Sequence, residues 1–390
     1  MHSERLEELT RAVREGRLSR RDFLLITGGA IGAASLAGCA PAATPTPAPP
    51  PAEAPAAPVG GLPPVEVRQN IPPPALVDCA QWKKPPPWKV AFASQGPTNS
   101  WALMMDAHAE YAVKEKYKDL FSDYFYADSK GSADKQVTDI EDLTAMGPDI
   151  MVVCAIGQAI TANVEKAWDL GIPVVLCSGM IDTEKYVTFV DADNYECGWE
   201  FAQYLAGKLD YKGEVVLLSG IAGSDTAEKR ADGAKAAFAL YPDIEILDHH
   251  YCDWSITKAK ETMEAVLTAH PDLVGVWSDS AFHAWPTVEA YLEAGKTPGP
   301  QTTEPLNGFL RLAKENNIPF FARGYPNAVG LYCMDAAVRV MMGERVSSYI
   351  PIEVVRFEDD EVDKYYRPDL PDDAWVDYIL PSEYMDKLFK

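Results

Sequence analysis

Asp279, Ser280 and His283 place an acid, a hydroxyl and an imidazole close together in the chain, the residue types of a hydrolytic triad. The spacing argues against that chemistry. All three crowd the start of one helical stretch, and no Gly-x-Ser-x-Gly elbow occurs to expose a nucleophile. Asp279 and Ser280 read more simply as caps of the helix that follows, which leaves ligand contact open to them. Asp106 and Glu110, spaced i,i+4, suit a solvated helix face better than paired acid–base work. His249, His250, Cys252 and Asp253 offer metal-ligand types, but neighbours on a strand alternate between faces, so no metal is expected. The Gly220–Gly223 turn lacks the Gly-Lys-Ser/Thr ending of a phosphate loop. Six cysteines follow Cys39 without a CxxC, and buried free thiols are the expectation, with Cys154 and Cys177 the one conceivable pair. Neither a cofactor nor an enzymatic activity is expected.

Another set of residues suits binding. It comprises Ser94-Gln95-Gly96-Pro97-Thr98-Asn99-Ser100-Trp101, Cys177-Ser178-Gly179, Ser219–Ser224, Cys252-Asp253-Trp254, Ser278-Asp279-Ser280, Leu306-Asn307-Gly308 and Arg323-Gly324-Tyr325-Pro326. Almost all are small, amide, hydroxyl or aromatic, which fits a polar, mostly uncharged ligand held by hydrogen bonds and ring faces. All but Leu306-Asn307-Gly308 follow an apolar run, at 89–94, 173–178, 214–219, 245–250, 273–278 and 320–323, with further runs at 124–128, 149–156 and 187–191. Helical periodicity lies between them, as in 102–116, 132–145, 159–170, 227–240, 257–269 and 328–342. Strands apolar throughout and separated by helices predict an α/β fold with parallel sheets covered on both faces. About ten such strands exceed one ordinary sheet, so two doubly wound lobes are expected. In such sheets ligands sit beyond the carboxyl ends of the strands, where these residues fall.

The chain has 390 residues and a net charge of −23. That charge excludes a nucleic-acid footprint and adsorption to an anionic membrane by charge alone. No run of 18 apolar residues occurs, so a multi-span membrane protein is excluded. The N-terminus reads as an address over residues 1–39. Arg20–Arg21 before Phe23-Leu24 resembles a twin-arginine export signal, with Sec export the alternative. Leu24–Gly38 is too short to span a bilayer, and Leu36-Ala37-Gly38-Cys39 looks like a lipobox, which implies lipidation of Cys39. The membrane would then be met through the lipid only. Residues 40–87 hold sixteen of the 31 prolines and predict a stiff spacer, with 76–79 apolar enough to dock on the folded body.

From Lys89 to about Val355 the chain resembles the type I periplasmic solute-binding proteins, in the ribose-binding-like branch that serves sugar ABC importers. Three blocks carry the likeness: the strand leading to Asn99-Ser100-Trp101; Leu218–Gly223 followed by Arg230-Ala231-Asp232-Gly233; and Leu267–Asp272 leading into a strand. The resemblance implies two lobes joined by a three-strand hinge, with crossings near 192–194, 323–326 and 348–351. The first lobe would comprise 88–192 and 326–349, the second 193–325 and 350–357. It implies ligand contacts from Asn99, Trp101, Ser178, Arg230, Trp254, Ser280 and Asn307, with Arg323 beside a family position and Ser94 and Asp279 at strand ends. Ser178 and Asn307 fall where sugar binders carry an Asp, Gly179 where they carry an Arg and Gly324 where they carry a Gln. Those departures put ribose in doubt and leave a sugar, polyol or nucleoside-like ligand. Trp101 and Trp254 would sandwich the ligand, both lobes would close on it, and acidic lobe tips would meet basic loops of an ABC permease. The expected form is a monomeric capture protein outside the cytoplasm. A solute-sensing lipoprotein that presents its ligand to a membrane receptor is the alternative. A transcription regulator of related fold would need a helix-turn-helix where the prolines lie. Residues 358–390 read as an extension wrapped on the second lobe or across the hinge, a lid being one reading of it.

Overall fold

The computed structural model describes residues 62–389; Arg20, Arg21 and Cys39 lie outside them. A first sheet of six strands runs in the order 349–351, 188–191, 174–177, 150–154, 88–94, 121–128, and every neighbouring pair is parallel. Its strands are apolar on both faces because both are covered. Val90, Phe92, Val152 and Val175 pack into one core, while Ala91, Ala93, Met151 and Val153 pack into the other. That is the period-2 alternation of a strand buried twice over.

The second lobe repeats the plan with a break. Strands Ile244–Tyr251, Gly213–Ser219 and Gly275–Ser278 form one parallel set. Gln301–Thr303, Phe320–Arg323 and Arg356–Glu358 form another, the last strand antiparallel. A side chain joins the two sets. The Thr302 hydroxyl accepts from the Ser278 N–H at 3.0 Å and donates to the Ser278 carbonyl at 2.9 Å, so both buried backbone groups are satisfied without a ladder. Val215 and Leu217 face one core and Val216 and Leu218 the other.

All nine strands expected from apolar runs are present. The chain passes between the lobes at 192–193, 324–328 and 352–355. The third passage lies beyond the expected 348–351, because Tyr349–Pro351 pairs with Phe189–Asp191 in the first sheet. From Leu62 onward the proline-rich segment lies on the body. Leu76–Asp78 pairs antiparallel with Arg345–Ser347, Cys79 and Ile71 are buried, and Arg68 forms an ion pair with Asp193. The six cysteines from Cys79 to Cys333 are buried and free, Cys154 and Cys177 included, although their strands are in register there. Among the described residues no helix is long and apolar enough to cross a membrane, and no group of three or more His, Cys, Asp or Glu is arranged to hold a metal.

Candidate functional site

A cleft opens between the two lobes, at the carboxyl ends of their parallel strands. Several strands deliver their next residues into it: Gln95 and Asn99 follow Trp88–Ser94, Ala155 follows Ile150–Cys154, Gly179 follows Val174–Cys177 and Ile221 follows Gly213–Ser219. On the first-lobe side the Asn99 Oδ1 accepts from the Ala102 N–H at 3.0 Å and so caps helix Ser100–Tyr111. The cap sets Trp101 in the first turn, facing the cleft. Its indole N–H donates to the Tyr325 carbonyl at 2.7 Å, and its ring stacks on Tyr325 with centroids 5.0 Å apart and planes 14° from parallel. The Tyr325 hydroxyl donates to Asp191 Oδ1 at 2.7 Å and lies 2.6 Å from the Ser178 Oγ. With the phenol proton on Asp191, Ser178 donates to Tyr325, and only its lone pairs remain for a ligand. Burial pushes the Asp191 carboxyl up to about 7, against the pull of the Tyr325 bond.

The second-lobe side is charged. Ser224 caps helix Asp225–Phe238, and Arg230 on that helix is 1% exposed. Its Nε donates to Asn194 Oδ1 at 3.0 Å, its Nη1 donates to the Asp279 carbonyl at 2.7 Å, and its Nη2 pairs with Glu304 Oε1 at 3.0 Å. The guanidinium also lies 4.7 Å from the Tyr325 ring centroid, a cation–π contact. Burial raises the Glu304 carboxyl to about 7, although Arg230 pulls it back. Trp254 closes the far wall from two consecutive left-handed residues, Asp253 at φ 55° and Trp254 at φ 50°. Its indole lies against Gly220, where a Cβ would come within 2.0 Å of the ring. Asp225 reaches across to accept from the Met180 N–H at 3.2 Å, so the lobes touch at the cleft.

Of the ten residues expected at a ligand, Asn99, Trp101, Ser178, Arg230 and Trp254 line this cleft. The other five are engaged elsewhere. Ser94 is buried, donating to Asp106 Oδ1 at 2.7 Å and accepting from the Gly96 N–H at 2.9 Å. Asp279 is fully buried; it accepts from the Gly220 N–H at 2.8 Å and meets His283 Nδ1 at 2.8 Å. Ser280 turns its hydroxyl to the Phe282 N–H of its own helix at 3.2 Å. Asn307 is saturated by the C-terminal segment, donating to the carbonyls of Arg367, Leu370 and Pro371 and accepting from the Arg367 N–H. Arg323 serves the hinge, with Glu200 at 2.8 Å, Glu196 at 3.2 Å and the Asp193 carbonyl at 3.0 Å.

The cleft is less neutral than expected, because Glu304 and Asp225 line it. Glu304 follows the short polar strand Gln301–Thr303, which has no apolar run to announce it. Tyr325 belongs to a strand-end stretch in which the arginine two positions earlier is the more obvious ligand-binding type. Trp375 and Phe282 also line the cleft, and nothing in their local sequence marks them for it.

Residues 90–345 match the model of the periplasmic binding protein domain. The chain belongs to the periplasmic binding protein family. Among relatives of this family, the ribose import binding protein RbsB of Salmonella typhimurium is 26% identical over 234 residues, 58% of this chain and 77% of that protein. A solved Mycobacterium smegmatis protein in complex with β-D-fucofuranose superposes with a TM-score of 0.66 at 22% identity, covering 70% of this chain and 92% of that one. A galactofuranose binding protein superposes with a TM-score of 0.66 at 20% identity, over 71% and 97% of the two chains. These likenesses establish the type I periplasmic binding protein fold, parallel sheets in two lobes.

Proposed function

We propose that this periplasmic binding protein captures a small hydroxyl-rich solute, a monosaccharide or polyol, between its lobes and delivers it to an ABC permease. The observation that carries the reading is the pairing of aromatic rings and an oriented ion pair in one interlobe cleft. Trp101 spends its indole N–H on Tyr325, so it offers a ring face to C–H groups of a ligand. Arg230 and Glu304 are held in place by buried partners and offer a donor and an acceptor of fixed direction. The relatives support the ligand class, since they include a ribose import protein and structures named for bound furanose sugars. A binding role without catalysis fits the cleft, because Ser280, Asp279 and His283 are committed to caps and to each other.

Export followed by lipidation at Cys39 would place the body outside the cytoplasm, tethered by its chain. A thermal-shift screen of the chain from Ala40 against sugars, polyols and nucleosides tests the reading. A ligand at 100 times its Kd stabilises by about 2.7 kcal/mol. A monosaccharide or polyol is expected to score; a chain that responds only to nucleosides, or to none of the panel, overturns the carbohydrate assignment. Labelling with radioactive palmitate in the host, lost in Cys39→Ala, tests the anchor.

A further inference from the structure

The family match ends at residue 345, yet the chain beyond it returns to the cleft. Its anchor on the second lobe is dense. Asn307 is ringed by main-chain groups of 367–371, Arg311 holds both oxygens of Asp372 at 2.9 and 2.8 Å, and the Gly308 N–H donates to the Asp372 carbonyl at 2.7 Å. The chain then crosses to the first lobe. The Ile379 N–H donates to His108 Nε2 at 3.3 Å, and helix Ser382–Phe389 buries Met385 and sets Tyr384 edge-on to Tyr111 at 5.1 Å. His108 is prepared to accept that bond. Its Nδ1 faces the Met104 carbonyl at 2.7 Å and burial keeps the ring neutral, which leaves Nε2 an acceptor.

Between the two anchors stands Trp375. It is fully buried, donates from its indole N–H to the Ser100 Oγ of the first lobe at 3.1 Å, and packs edge-on against Phe282 of the second lobe at 5.5 Å. It also lines the cleft. We propose that residues 367–389 form a strap closing one side of the ligand cleft, and that Trp375 is a ligand-contacting residue that limits the size of the solute accepted. The inference deepens the solute-capture reading and rests on it. A strap fixed to both lobes restrains their separation. When the cleft opens, one anchor must yield, and it is the first-lobe one, which has fewer polar bonds and no bidentate ion pair.

The test uses the chain from Ala40 with D-ribose, D-allose, xylitol and the disaccharide sucrose as probes, read by calorimetric titration. Trp375→Ala is expected to weaken the best monosaccharide or polyol by about tenfold or more and to shift preference toward sucrose, while Trp375→Phe keeps most of the affinity. Binding by Trp375→Ala within about twofold of the parent, with no shift toward sucrose, overturns the proposal. Should Trp375→Ala fail to fold, Arg311→Ala, which frees the strap at a half-exposed site, is expected to speed solute release; an unchanged off-rate overturns the proposal. If the parent binds none of the probes, the capture reading fails for this class, and the strap is judged without ligand. Arg311→Ala with Asp372→Ala must then raise the radius of gyration in solution scattering, and an unchanged radius overturns the strap itself.

Discussion

In the six-stranded sheet of the first lobe every neighbouring pair of strands is joined by a parallel backbone ladder, from Tyr349–Pro351 at one edge to Phe121–Asp128 at the other. In the second lobe the ladder stops between Gly275–Ser278 and Gln301–Thr303, and one threonine hydroxyl carries the join. The walls of the cleft differ in the same sense. The first lobe presents neutral groups already hydrogen-bonded among themselves, Asn99 to its helix and Trp101 and Ser178 to Tyr325. The second lobe presents a buried ion pair, Arg230 with Glu304. The contrast teaches where direction in binding comes from. A complete sheet can position neutral rings and amides, whereas the interrupted one is braced by charges whose own partners fix them.

That contrast is sharpest at Arg230. Arg230→Met leaves the Glu304 carboxyl buried and unpaired and is expected to cost about 3–5 kcal/mol of stability, with solute binding lost. The double variant Arg230→Met with Glu304→Gln should recover much of the stability and none of the binding. Ser178→Ala on the opposite wall removes one neutral hydrogen bond and should cost only about 1 kcal/mol. Urea unfolding of the four chains checks the ordering; equal losses at Arg230 and Ser178 would erase the distinction between the walls. Gly198→Val comes next. A Cβ there would sit 1.7 Å from the Arg230 carbonyl, where helix Asn194–Lys208 crosses the helix bearing Arg230. A loss of about 3 kcal/mol is expected from such overpacking, and a displaced Arg230 should weaken binding more than the unfolding midpoint alone explains.

The first lobe was more legible in the sequence than the second, and for the same physical reason. Strands such as Ile150–Cys154 and Val174–Cys177 are apolar on both faces, and that run is visible at any position in the chain. Gln301–Thr303 is fully buried yet polar, because its hydroxyls replace backbone bonds, so no apolar run marks it. Tyr349–Pro351 and Arg356–Glu358 are too short to show a period. At the cleft, residue type and strand-end position picked out Trp101 and Trp254, and the family resemblance added Arg230 from within a helix. They could not show that Asn307 would be taken by Arg367 sixty positions later, or Arg323 by Glu196 127 positions earlier. A side chain's chemistry is legible locally; its partners, when they come from a distant segment, are not.

Thr302→Val tests the stitch in the second sheet directly. It removes the acceptor of the Ser278 N–H and the donor to the Ser278 carbonyl while keeping the volume, leaving two buried groups unpaired. A cost of about 1–3 kcal/mol is expected, and Thr302→Ser should restore most of it because the hydroxyl returns. Amide exchange is the more telling readout: protection of Ser278 and its neighbours should fall in Thr302→Val, while that of Val152 and Val175 in the first sheet stays as it was. Uniform loss across both sheets would mean that the two lobes unfold as one unit and that the stitch has no local role.

A pH dependence is expected from three buried carboxyls, one in each lobe and one in the strap. Burial raises Asp191, Glu304 and Asp377 each to about 7. Asp191 has Tyr325, Asn194 and the Ala192 N–H as partners, and Glu304 has Arg230. Neither oxygen of Asp377 bonds to another residue, and it sits beside the hinge, where a side chain on Gly324 would come within 2.8 Å of its Oδ2. A carboxyl whose folded pKa lies above its unfolded one holds its proton longer in the folded state. Its stabilising contribution is therefore complete at acid pH below the unfolded pKa and is lost as pH rises to the folded value near 7. Asp377→Asn keeps the shape and cannot ionise, so the stability of the parent relative to this variant should fall between about pH 4 and 7. The matching Asp191→Asn curve should fall by a similar amount over the same window, because burial raises the Asp191 carboxyl to about 7 even with its Tyr325 and main-chain donors in place. Thermal unfolding of both pairs across that range decides it: a flat difference for Asp377 would mean that water or a cation reaches the carboxylate at the hinge, and that the strap there is looser than its packing against Gly324 implies.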